Sequence, residues 1–145
     1  MKEENVILWL EEDPLEFIEK ALKKEFILKR AIKISDAIRI LGEDMNINVL
    51  LLDIMIPIFK EDEEYDFNPE TTNRGMKSGF EFYRRFKNIL EQRNIKVIVY
   101  SILGDDNEMR DAFVKLGLDQ NSYLDKITNS RIDLLTKNIY RIINE

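Results

Sequence analysis

The sequence predicts a doubly wound α/β fold: one parallel five-stranded sheet, order 2-1-3-4-5, with helices on both faces. Three observations carry this. Val49-Leu50-Leu51-Leu52 is apolar at every position, as in a strand covered on both sides. Strand-like runs alternate with helical patterns along the chain, which implies parallel strands joined by right-handed crossovers. Acidic, hydroxyl and basic residues end those runs, where open α/β sheets place their ligands.

The elements follow in order. Val6 to Leu10 reads as a buried first strand, closed by Glu11-Glu12-Asp13-Pro14. Asp13 as N-cap, Pro14 at the first helical position and Glu16 as the far half of a capping box predict a helix to about Lys24, with Leu15, Ile18 and Leu22 on one face. Phe26 to Ala31 is the second strand, and its Lys29-Arg30 pair suits an edge that must not pair with other chains. Ser35 caps a short helix through Leu41, with Gly42 near its end, and Val49 to Asp53 is the third strand.

Residues 58–77 interrupt this rhythm with the charge run Lys60-Glu61-Asp62-Glu63-Glu64 and the turn-forming Asn68-Pro69-Glu70-Thr71-Thr72-Asn73. So long a connection is either a solvated insertion or a functional lid or mobile loop; Phe59, Tyr65, Phe67 and Met76 argue against simple disorder. Ser78-Gly79-Phe80-Glu81 reads as a capping box opening a helix with Phe82, Phe86, Ile89 and Leu90 on one side. Lys96 to Tyr100 is the fourth strand, followed by Ser101. A helix started near Asp105-Asp106 carries Met109, Ala112, Phe113 and Leu116 and ends at Gly117. Ser122 to Asp125 is the fifth strand, ending at Lys126. The last helix opens at Ser130, with Asp133 three residues on, and presents Ile132, Leu135, Ile139, Ile142 and Ile143. No repeat or linker divides residues 1–145, which read as a single domain with an insertion at about 58–77.

Composition narrows the chemistry. The chain is 44% hydrophobic and 34% charged with a net charge of -6, which argues against general binding of nucleic acid or an anionic membrane. It has no cysteine and no histidine, so disulfides, thiolate nucleophiles, imidazole bases and Cys or His metal ligands are excluded. No secretory leader opens the sequence and no apolar run approaches the ~20 residues that span a bilayer, so a cytoplasmic location is expected.

The predicted strand order brings Glu11, Glu12, Asp53, Ser101 and Lys126 to one end of the sheet. Three carboxylates in one place repel one another unless some hold protons or a cation intervenes. Magnesium suits such a site, because it takes hard oxygen ligands and keeps water for a phosphate to displace. Lysine and serine would then hold the oxygens of a phosphoryl group travelling to Asp53.

These residues resemble the receiver domain of two-component response regulators, the CheY-like branch of the flavodoxin-like folds, over the whole chain. Glu11-Glu12 match the family's acidic pair, Asp53 its phosphoacceptor, and Pro57 its proline at the usual distance. Ser101 matches the hydroxyl residue and Lys126 the lysine, while Tyr123 matches the aromatic switch that rotates inward on phosphorylation. Gly79-Phe80-Glu81-Phe82 matches the glycine-led start of the third helix, displaced by the insertion.

The resemblance implies phosphorelay signalling. Asp53 would accept a phosphoryl group from a histidine kinase or phosphotransfer protein, with Mg2+ on Glu11, Glu12, Asp53 and the Met55 backbone carbonyl. The protein would catalyse its own phosphorylation and dephosphorylation without being a turnover enzyme. Output would pass by protein contact through the Asp105-Asp106 helix, the fifth strand and Tyr123 to a downstream protein. Glu12 stands where receivers usually carry Asp, Ile102 where a small residue is common, and Ile127 where proline is usual. These departures, with the insertion, motivate the alternative of a degenerate receiver acting as a phosphorylation-independent interaction module. A homodimer contact through the insertion's aromatics is a further expectation. Haloacid-dehalogenase phosphatases fit less well, since Met55 replaces their second aspartate, and no nucleotide-binding glycine motif is present.

Overall fold

The computed structural model describes residues 5–103, 106–128 and 131–145. Five strands form one sheet: β1 (Val6–Leu10), β2 (Ile27–Ala31), β3 (Val49–Leu52), β4 (Lys96–Ser101) and β5 (Tyr123–Asp125). All neighbouring pairs are parallel and the order is β2-β1-β3-β4-β5, as the alternation of elements predicts. The helices are α1 (Glu16–Glu25), α2 (Ile34–Glu43), α3 (Lys60–Glu63), α4 (Ser78–Gln92), α5 (Asn107–Lys115) and α6 (Ile132–Ile143).

Strand side chains alternate between two cores, because successive residues point to opposite faces. Leu8, Leu10, Leu50, Leu52 and Val99 join α2, α4 and α5, where Leu41, Phe82 and Phe113 are buried. Ile7, Trp9, Leu51, Ile98 and Tyr100 join α1 and α6 through Leu22, Leu135 and Ile139. Every residue of β1 and β3 is therefore buried, which explains runs without polar alternation. Among the described residues no helix is long and apolar enough to cross a membrane.

Several local expectations are corrected. The helix placed from Asp13 starts at Glu16 with Leu15 as N-cap and no side-chain cap. The Asp13 carbonyl is engaged by Arg30 and by the Leu15 N–H, so the chain turns tightly before helix can begin. Ser35 does not cap α2, which begins at Ile34; its own N–H lies in the first turn and needs an acceptor. Ser78 does not form a capping box with Glu81. Its hydroxyl is buried against the backbone of Ile54, Ile56 and Gly75, and Glu81 pairs with Arg84 and Arg85. Ile89 faces solvent, 48% exposed, rather than the core. Ser122 belongs to a short 3-10 turn before β5, and α6 opens with Arg131 as N-cap. Asp105 and Ser130, both read as helix starts, lie outside the described residues.

The insertion is a surface segment, with Lys60, Glu61, Glu63 and Glu64 exposed, yet it is folded against the domain at a few buried points. Asp62, inside the charge run, is fully buried. Its Oδ1 accepts from Ser35 N–H at 2.8 Å and its Oδ2 from Phe59 N–H at 2.8 Å. One carboxylate thus supplies the cap that α2 lacks and closes the first turn of α3. Phe67 is buried beside Phe82, and the Arg85 guanidinium lies 4.1 Å over its ring while donating to the Tyr65 and Asp66 carbonyls. The homodimer expectation loses Phe67, which is packed within its own chain, whereas Tyr65 and Met76 stay exposed.

Candidate functional site

The carboxyl ends of β1, β3, β4 and β5 meet at one end of the sheet. Leu10 is in register with Leu52, Leu52 with Val99, and Ser101 with Asp125, so residues one step beyond converge. Backbone bonds extend the ladder to the site itself: Asp53 N–H donates to Leu10 O at 3.1 Å and Lys126 N–H to Ser101 O at 2.9 Å.

Asp53 is 5% exposed, and its Oδ1 accepts from Ile54 N–H at 2.8 Å. Its Oδ2 faces the Lys126 ammonium at 3.5 Å. The same ammonium rests directly against Glu11 Oε1, and Glu11 is 1% exposed. Burial first, then the charge of Asp53 and a hydrogen bond to it, push the Glu11 carboxyl up to about 7, with Lys126 opposing. Tyr100, over whose ring Lys126 sits at 5.8 Å, is pushed up to about 12 by burial and then by the charges of Glu11 and Asp125.

Ser101 is fully buried and its hydroxyl accepts from Leu103 N–H at 3.2 Å. The structure thus brings Asp53, Glu11 and Lys126 together at the ends of β3, β1 and β5, with Ser101 closing β4. Glu12 is not gathered with them: it points to solvent. Ile102 and Ile127 are exposed at 49% and 72%. Tyr123 is buried, with its hydroxyl donating to Leu103 O at 2.7 Å, its ring 5.8 Å from Phe113 and the Arg110 guanidinium 5.7 Å away.

The donor set suits a hard divalent cation in part. Two carboxyl groups face a single ammonium in a nearly sealed site, and magnesium needs only one or two carboxylates. Glu11 and Asp53 are the side chains that would hold it. Among the described residues no three acidic side chains are clustered to hold a metal, so Glu12 would have to turn inward to join.

Two residues that position this site escape a strand-by-strand reading. Gly79 N–H donates to Ile54 O at 2.8 Å, and a Cβ on Gly79 would fall 1.9 Å from Asp53 O. The start of α4 therefore lies directly on the backbone that presents Asp53. The other is Arg30, which leaves the sheet edge for the loop after β1.

The Glu11 carboxyl also makes stability pH-dependent. Its value of about 7 in the fold exceeds the ordinary 4.5, so the folded state binds more protons than the unfolded chain between those values. The contribution of Glu11 is fully present below pH 4.5 and is lost as pH rises through 7, by on the order of 3 kcal/mol at most. Urea unfolding at pH 5 and pH 8 should show a smaller fall in Glu11→Gln than in wild type; equal falls would contradict the assignment.

No protein-family model and no curated protein matches the chain. Solved structures do. A response regulator from Thermotoga maritima superposes with a TM-score of 0.68 at 22% identity, over 99% of this chain and 100% of that one. A signal receiver domain from Vibrio parahaemolyticus gives 0.70 at 14% identity, over 98% of this chain and 92% of that one. The Saccharomyces cerevisiae response-regulator receiver domain Ssk1, co-crystallised with the histidine phosphotransfer protein Ypd1, gives 0.65 at 16% identity, over 96% and 88%. The chain has the receiver-domain fold.

Proposed function

We propose that the protein is a receiver that accepts a phosphoryl group on Asp53 from a phosphohistidine of a histidine kinase or phosphotransfer protein. One observation carries the reading: Asp53 is buried at the end of β3 with one oxygen tied to the backbone and the other facing Lys126. Oδ2 attacks phosphorus, the bond from phosphorus to the donor imidazole nitrogen breaks, and its electron pair stays on the imidazole. Lys126, 3.5 Å from Asp53 Oδ2, would follow the phosphoryl oxygens, and Ser101, at the end of the adjoining strand, would donate its hydroxyl to them. Bound magnesium would supply positive charge against the phosphoryl oxygens. Lys126 is shared between Glu11 and Asp53, so its movement toward a phosphoryl group would free Glu11 to help hold a cation.

Tyr123 links the site to its surroundings, since its hydroxyl is held by Leu103, two residues beyond Ser101. Output through α5, β5 and Tyr123 to a downstream protein, in the cytoplasm and without direct contact to nucleic acid, completes the reading. The phosphotransfer is the protein's own and involves no turnover of a separate substrate.

The degenerate receiver is favoured by one observation, the outward-pointing Glu12 beside a Glu11 already engaged by Lys126. Titration with beryllofluoride and magnesium separates the two. A phosphoacceptor shows a saturable response at Asp53, Ser101 and Lys126 in NMR spectra; spectra that do not change would favour the interaction module.

A further inference from the structure

Arg30 behaves unlike an edge-strand charge. Its neighbour Lys29 does, reaching Asp44 at 2.6 Å with 41% of its side chain exposed. Arg30 is only 13% exposed and crosses from β2 to the loop that follows β1. Its guanidinium lies 4.4 Å over the Trp9 ring, the residue paired with it across the ladder. From there Nε and Nη2 both donate to the Glu11 carbonyl, at 3.0 and 2.9 Å. Nη2 also donates to the Asp13 carbonyl, and Nη1 lies 3.7 Å from Glu19 Oε2 on α1.

Both backbone polar groups of Glu11 are therefore held by β2. Its N–H donates to Ala31 O at 2.9 Å, and its carbonyl takes the Arg30 fork. With the carbonyls on either side of Glu12 gripped by one guanidinium, the loop has little freedom to rotate. That loop decides where the Glu11 carboxylate meets Asp53 and how far Glu12 can reach. A planar, five-donor guanidinium can hold two carbonyls at once, stacked on an indole; an ammonium cannot do the same.

We infer that Arg30 is a positioning residue for the acidic loop, fixing Glu11 for a divalent cation bound beside Asp53. The inference rests on the phosphoacceptor reading. It requires that loss of the fork weaken cation binding even when the charge is kept and the fold is intact.

Arg30→Lys keeps the charge and loses the two-pronged grip. Calorimetric titration with magnesium at neutral pH should show its affinity weakened about 10- to 100-fold, the usual effect of disturbing groups that orient metal ligands. Lys29→Ala, which removes a positive charge from the same strand, should bind like wild type. Thermal unfolding without metal is measured on each variant, and Arg30→Gln serves if Arg30→Lys fails to fold. A variant that lowers the unfolding temperature yet binds magnesium within about twofold of wild type would reduce Arg30 to a packing contact and overturn the inference. Absence of magnesium binding by wild type would instead remove the phosphoacceptor reading and, with it, this one.

Discussion

Gly79→Ala is expected to destabilise the fold by about 3 kcal/mol or more. The added methyl would lie 1.9 Å from Asp53 O, 2.8 Å from Ile54 Cα and 2.9 Å from Asp53 C, and all three are backbone atoms. No side chain can move aside; either α4 lifts off the sheet or the end of β3 is pushed away, and the Gly79 N–H to Ile54 O bond is lost in either case. Helix propensity favours alanine by only about 1 kcal/mol and cannot offset this. Gly42 provides the control. It lies in α2, a Cβ there meets nothing within 4 Å, and Gly42→Ala should be neutral or stabilising by up to about 1 kcal/mol. Chemical denaturation of the pair measures both. A Gly79→Ala protein as stable as wild type would mean that α4 does not sit on the Asp53 backbone.

Asp62→Ala should cost about 3 kcal/mol by a different route. Two backbone donors, Ser35 N–H and Phe59 N–H, lose a charged acceptor in a place where water does not reach Asp62. The loss also releases the insertion from α2, so hydrogen exchange should accelerate at Ser35 and across 59–67 while β1 and β3 stay protected. Deleting residues 60–74 to test self-association would remove Asp62 and Phe67 together, and would unsettle the monomer as well as any dimer contact. A loss below about 0.5 kcal/mol for Asp62→Ala would show that the insertion is held without it, by contacts such as those of Phe67 and Arg85.

The sheet was legible because β1, β3 and β4 are covered on both faces and therefore advertise themselves as unbroken apolar runs. The polar residues ending those runs were legible for the same reason: a parallel sheet in this order leaves their carboxyl ends side by side. Asp53, Glu11, Lys126 and Ser101 are accordingly found at one end of the sheet. Side-chain direction is not set by strand order. Glu11 is the last residue of the β1 ladder and turns inward, while Glu12, one residue on, is free of the ladder and turns out.

Capping motifs failed where tertiary contacts gave the backbone better partners. Ser78 satisfies buried carbonyls of the Ile54–Ile56 turn instead of its own helix, and the cap of α2 comes from Asp62, 27 residues from Ser35. Nothing local separates Asp62 from Glu61 and Glu63 in a run of charges. The one available signal was its spacing of three residues from Phe59, the reach of a side chain back to the start of its own turn. Arg30 was hidden likewise, since a basic residue on an edge strand satisfies a general rule and its true partners lie 17 and 19 residues away.

The central claim is that the Asp53 carboxylate accepts a phosphoryl group. Its most direct test is the intact mass of the protein after incubation with magnesium and a small-molecule phosphodonor. Wild type should gain the mass of a single phosphoryl group, and Asp53→Asn should gain none. Labelling that persists in Asp53→Asn, or wild type that never takes up the group under any condition, would contradict it.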